Sequence, residues 1–215
     1  MSKQFTIHYA CESLIPKRTS YITAISVCDV ATKTYTSFSM EDAQKILGIH
    51  SIPQELEAYL LKQFFDFVSK HLDATWIHWH MNRLEYGFGV LQERYEMLWN
   101  QQASHFISTI NLPDTIFEEI RSYCRKYPKM YQLFKDNRVH DQAILFGKEE
   151  AKLFEKAEFE QLKDSINTKA KALAMIYDKL QDKSLVTSCR RSDKTVWLAG
   201  LFMLCTVTLY MLVRG

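Results

Sequence analysis

Two histidines separated by one residue, His78 and His80 in TWIHWHMNRLEYGF, are suited by type and spacing to do chemistry. On an extended segment they fall on one face with Trp76, while Ile77 and Trp79 point to the other, so two imidazoles can share a metal ion. Arg83 and Arg94 lie among Trp76, Trp79, Tyr86, Phe88 and Tyr95. Bases stack on such rings and cations hold phosphate, which makes nucleic acid a candidate ligand. The same rings at strand and helix spacing also supply ordinary core. A second basic and aromatic cluster, RSYCRKYPKMY from Arg121 to Tyr131, suits a phosphate backbone or an anionic membrane surface. The signatures of phosphate loops, dinucleotide-binding turns, hydrolase elbows and zincins do not occur, so those chemistries have no support.

The elements that must position these residues follow from periodicity. Phe5 to Cys11, Tyr21 to Asp29 and Thr34 to Ser39 are runs rich in Ile, Val, Thr, Tyr and Phe joined by short breaks, which predicts an antiparallel meander. From Ile52 to His71 the apolar period becomes helical, after a start marked by Ser51 and Pro53. A fourth strand over Thr75 to His80 precedes a helix over Tyr86 to Trp99. A short strand in His105 to Ile110 and helices over Pro113 to Arg125 and Tyr127 to Asp136 come next. From Lys148 the chain reads as helical, with Leu162, Ile166, Leu173, Ile176 and Leu180 forming an apolar stripe that packs on the domain.

The 215 residues carry a net charge of +2, which neither demands nor excludes nucleic acid. Five scattered cysteines without a CxxC pair argue against a disulfide framework or zinc ribbon and suit a reducing cytosol. The nineteen uncharged residues 195–213, TVWLAGLFMLCTVTLYMLV, approach the ~20 needed to cross a bilayer as a helix. Arg190, Arg191 and Lys194 precede the stretch and only Arg214 follows, so the large N-terminal part is expected to face the cytoplasm. The expected organisation is a domain over 1–183, a basic linker over 184–194, and a single-pass membrane helix over 195–213. Small residues in the span, Ala199, Gly200, Thr206 and Thr208, give it some capacity for homo-oligomer formation.

The element order of strand, strand, strand, helix, strand, helix resembles the ribonuclease H-like fold, in particular its 3′-to-5′ exonuclease branch with a quartet of acidic residues. That branch carries Asp-x-Glu on the first strand, a His-Asn-x-x-x-Asp type motif after the fourth, and a further Asp opening a late helix. The corresponding places here read Ala10-Cys11-Glu12, HWHMNRLEYGF from His78 to Phe88, and HDQAILFGKEEAKLF from His140 to Phe154. Ala10 stands where the first metal-binding Asp would be, and Leu84 or Glu85 where the second motif places its Asp.

The resemblance implies an α/β fold, a three-layer mixed sheet flanked by helices, and a degenerate site. Glu12, Glu85, and Glu149 or Glu150 are then the expected ligands of Mg²⁺ or Mn²⁺, because hard cations take oxygen donors and carboxylates offset the charge of a two-metal centre. Glu12, His78 and His80 are the expected catalytic groups, with an imidazole positioning or deprotonating water, and Arg83 and Arg94 the phosphate contacts. If the first and fourth strands are neighbours, His8 or Glu12 is expected to complete a site with the histidine pair. The implied role is a membrane-anchored domain that binds or slowly cleaves nucleic acid. The competing expectation is a catalytically inactive tethered sensor or interaction protein, including an effector that acts through membrane oligomers.

Overall fold

Phe5, Ile7 and Tyr9 alternate with Thr6, His8 and Ala10, and all six are buried, which is the pattern of a central strand covered on both faces. In the computed structural model, which describes residues 2–12, 20–48, 53–120 and 129–187, this strand, β1 (Gln4–Cys11), does lie at the centre of the sheet. It pairs antiparallel with β2 (Ile22–Asp29), which pairs antiparallel with β3 (Tyr35–Ser39). On its other side it pairs parallel with β4 (Thr75–His78), which pairs parallel with β5 (Ser108–Asn111). The order β3-β2-β1-β4-β5 makes a mixed five-stranded sheet, consistent with the ribonuclease H-like fold. The expected meander and the neighbouring of the first and fourth strands are both present.

Ser39 ends β3 and caps α1 (Met40–Leu47), accepting from the Asp42 amide at 3.1 Å, and Gly48 closes the helix at φ 66°. The strand reading of this region stopped at Ser39 and left that helix out. Helix α2 (Pro53–Ser69) buries Leu56, Leu60, Leu61, Phe64, Phe65 and Val68, and α3 (Phe88–Trp99) buries Val90, Leu91 and Tyr95. Together with Phe5, Ile7, Tyr9 and Trp76 they form the core on one face of the sheet.

The opposite face is covered by α4 (Leu112–Ile120), α5 (Met130–Asp136) and the long α7 (Phe159–Gln181). The predicted continuous helix from Lys148 is broken: α6 (Lys148–Glu155) ends in a turn in which Ala157 adopts φ 56°, and α7 starts afresh at Phe159. All five residues of the predicted stripe, Leu162, Ile166, Leu173, Ile176 and Leu180, are buried, and α7 packs on β1, β2 and β3 as expected. The helix runs antiparallel to β1. Ile166 lies with Ala10, the Thr6 hydroxyl donates to the Ala170 carbonyl at 2.7 Å, and the Gln4 amide donates to the Tyr177 hydroxyl at 3.3 Å.

The segment after α7 is stitched to the domain. Ser184 and Leu185 amides both donate to the Lys179 carbonyl at 2.9 Å, and Leu185 is buried. The buried Asn137 side chain accepts from the Val186 amide at 2.9 Å and donates to the Val186 carbonyl at 2.7 Å. Residues 184–187, the first part of the expected linker, are therefore fixed. The rest of the linker and the apolar stretch 195–213 lie outside the described residues, as does most of the basic cluster, 121–128. Among the described residues no helix is long and apolar enough to cross a membrane.

Candidate functional site

At the carboxyl end of β1 the chain returns as a small hairpin between β4 and α3, closed by a bridge between Asn82 and Gly87. Tyr86 lies flat on Tyr9, with ring centroids 4.4 Å apart at 15°, and its hydroxyl donates to the Tyr9 carbonyl at 3.1 Å. The Gly87 amide donates to the Tyr9 hydroxyl at 2.9 Å. Gly87 has φ 147°, and a Cβ there would sit 1.8 Å from the Met81 carbonyl oxygen, so only glycine fits. Burial pushes both phenols well above their ordinary range, so they act here as neutral hydrogen-bonding groups.

Beside this stack, His8 points to the α7 side, with Nδ1 3.5 Å from the Tyr86 hydroxyl. The Lys169 side chain is almost fully buried, its ammonium 2.6 Å from Glu150 and 4.6 Å from the centre of the Phe146 ring. Burial lowers the Lys169 pKa against the pull of Glu150. Burial and then the Lys169 charge hold His8 well below its ordinary value, so its imidazole is neutral. His8, Tyr86, Lys169 and Glu150 thus form a partly enclosed polar cluster at the mouth of β1.

The expected histidine pair forms a different cluster, at the ends of β4 and β5. His78 is buried with Phe88 edge-on at 5.1 Å, and its Nδ1 accepts from the Met81 amide at 3.1 Å. Burial pushes its pKa down to about 4. β4 ends at His78, two residues earlier than predicted, and His80 takes φ 57° with its amide donating to Asn111 Oδ1 at 2.8 Å. Asn111 in turn donates to Asp114 in the first turn of α4. Burial, then the charge of Arg83, lowers the His80 pKa. Because the strand stops, the alternation expected to put both imidazoles on one face does not reach His80.

The remaining expected residues are placed apart. β1 and β4 are adjacent, but Ile7 pairs with His78, so His78 shares the face of Ile7 and His8 lies on the other. A register shift between Ala10 and Cys11 breaks the alternation before Glu12, which is half-buried and adds to the upward push on the Glu57 carboxyl of α2. Ala10 packs with Ala24 and Ile166. Arg83 and Glu85 are exposed at the hairpin tip around Leu84, which is 80 % exposed. Glu149 is exposed and accepts from the Phe146 amide, while Glu150 is committed to Lys169.

Arg94 was expected at phosphate; the structure puts it inside the protein instead. Its guanidinium holds both oxygens of the buried Glu57, with Nε to Oε1 at 2.9 Å, and lies 5.6 Å from the centre of the Tyr21 ring. Glu57 also accepts from the Ile22 amide at 2.9 Å, so the pair ties α2 and α3 to the start of β2. The aromatic and helical spacing that suggested a nucleic-acid surface here belongs to core: Trp76, Trp79 and Tyr95 are buried.

Among the described residues no three His, Cys, Asp or Glu side chains come together as a metal site. The donor set does not fit a divalent ion in a second respect, since the ammonium of Lys169 already neutralises Glu150. Sequence reasoning missed Lys169, Glu57 and Asp114. The first two fall on apolar faces of their helices, Lys169 three residues after Ile166 and Glu57 three and four residues before Leu60 and Leu61, and a charge at such a position is the available signal of a buried pair.

No protein-family model matches the chain, and no curated protein matches it. Among solved structures it is similar to the family B DNA polymerase of the hyperthermophilic archaeon Pyrobaculum calidifontis, with a TM-score of 0.59 and 10% identity. The likeness covers 84% of this chain and 25% of the polymerase chain, so the present chain spans about a quarter of that protein. At this identity the likeness is one of fold.

Proposed function

We propose that this chain is a membrane-tethered, exonuclease-like module that binds nucleic acid and does not cut it. The observation that carries the reading is the Lys169–Glu150 pair. At the mouth of β1 a covalently fixed cation stands against the carboxylate, and Glu12, Glu85 and the two histidines do not gather into one site with it. A phosphodiester needs clustered charge to stabilise its attacking and leaving oxygens, and these residues do not converge to provide it. Binding makes weaker demands: exposed cations and stacking surfaces suffice. Arg83 at the exposed hairpin tip is the phosphate contact of this proposal, and the fold likeness to a DNA polymerase supports nucleic acid as the ligand class. Residues 195–213 supply the tether, with the described domain on the cytoplasmic side and self-association available through the span.

Full-length protein in detergent or nanodiscs, titrated with labelled single- and double-stranded DNA and RNA in Mg²⁺ or Mn²⁺, tests this. The expected result is salt-dependent binding that weakens in Arg83→Ala and leaves the strands intact. Metal-dependent cleavage abolished by Glu12→Gln would replace the proposal with a working nuclease. Absence of binding under every condition would leave a tethered protein-interaction module.

A further inference from the structure

The described chain ends at a defined place on the domain. Lys183 takes φ 56° and turns the chain back from the end of α7, and Asn137 then grips Val186 through both its amide and its carbonyl. Leu185 and Thr187 are buried on either side of that grip. Only seven residues, 188–194, separate Thr187 from the apolar stretch, so the chain can reach at most about 27 Å from its fixed exit. A short tether leaving a clamped point restricts how the domain can stand on a bilayer.

The exit lies at the end of the sheet remote from the β1 mouth. The last turns of α7 sit over the start of β1, where Tyr177 meets Gln4, and near the β2–β3 turn, where Asp178 pairs with Lys33 at 2.6 Å. The mouth, with Ala10 against Ile166, is six strand residues further on, about 20 Å away along β1. Around the exit the exposed and half-buried surface carries Lys135, Arg138, Lys179 and Lys183 against Asp136 and Asp182, with Asp178 paired to Lys33, and the following residues add Arg190, Arg191 and Lys194 against Asp193. Basic residues close to a span are attracted to anionic headgroups.

We propose that this face, formed by the ends of α5 and α7 around the Asn137 clasp, rests on an anionic lipid surface. The domain then stands in one orientation, with the hairpin tip and the β1 mouth turned away from the membrane and open to a ligand. The inference rests on the reading of 195–213 as a span and adds a docking face and an orientation to it.

The test uses full-length protein in vesicles of phosphatidylcholine with or without phosphatidylserine. A fluorescent amino acid replaces either Gln181, exposed at the end of α7, or Leu84 at the hairpin tip, and a headgroup-attached quencher reports proximity to the bilayer. The expected result is several-fold stronger quenching at position 181 than at 84, increased by phosphatidylserine, and a smaller difference in Asn137→Ala. Equal quenching at both positions, or stronger quenching at 84, in protein that resists carbonate extraction overturns the orientation and leaves the span standing. Release by carbonate overturns the span and the orientation with it.

Discussion

Two buried ion pairs hold this domain together, and they are built differently. Glu57–Arg94 is closed: both carboxylate oxygens are engaged by the guanidinium, a backbone amide fills a further lone pair, and an aromatic ring lies beside the cation. Lys169–Glu150 is half open, with a single contact from a point charge and a carboxylate that is 16% exposed. The closed pair locks helices to the sheet. The open one stands at the mouth of β1 and places an ammonium there, matched by its own carboxylate. One residue of each pair had the type expected of a functional group, Arg94 for phosphate and Glu150 for metal, and each is occupied by its partner.

The largest expected effect comes from opening the closed pair. Arg94→Ala leaves an uncompensated carboxylate in the interior and should cost about 3–5 kcal/mol, read as a lower urea midpoint. A loss under about 1 kcal/mol would mean that water reaches Glu57 and that the two pairs are alike. Next is pH. His78 lies on the sheet face covered by α2 and α3, and its pKa of about 4 lies below the ordinary 6.5, so the folded state holds it neutral while the unfolded chain takes up a proton first. Stability is therefore complete above pH 6.5 and falls as pH drops from 6.5 toward 4, by up to about 3 kcal/mol. Urea midpoints measured across that window should flatten in His78→Gln. His8, near the open pair, and His80 shift in the same direction and should leave a residual slope that His8→Gln reduces.

Glu150→Gln should cost about 2 kcal/mol in the same measurement, less than the arginine change, because a lysine of lowered pKa can shed its proton when its partner is lost. The smallest effect is expected from Lys169→Met combined with Glu150→Gln, which should fall within about 1 kcal/mol of the parent. A larger loss would show that the open pair contributes to stability as the closed one does.

The sheet could be read from the sequence because its signals are local and redundant. Val, Ile and Thr runs and the change from period two to helical period fall where β1 to β4, α2 and α3 lie. Helix α1 was missed although Ser39, Asp42 and Gly48 carried both of its caps, because its eight residues bury only Met40 and Ala43, too short a run for a helical period to be told from the strand before it. The site was less legible for physical reasons of another kind. Face assignment by alternation holds only while a strand continues in register, and it failed at the shift after Ala10 and at the end of β4 before His80. The pairing of Lys169 with Glu150 or of Glu57 with Arg94 depends on helix packing across 19 and 37 residues of chain, which spacing alone does not encode.

The central position of β1 has a consequence for how the chain assembles during synthesis. The strand made first is the innermost, and its parallel neighbour β4 begins only at Thr75. The helix that covers its other face is made last, so the bond from Thr6 to Ala170 closes a loop of 164 residues. Until α7 arrives, the face of β1 that carries Thr6, His8 and Ala10 stands uncovered on a ribosome-bound chain, and an unfinished sheet of this kind is exposed to aggregation. Chaperone dependence on the way to the native state should therefore follow truncations of α7 more closely than changes at the mouth.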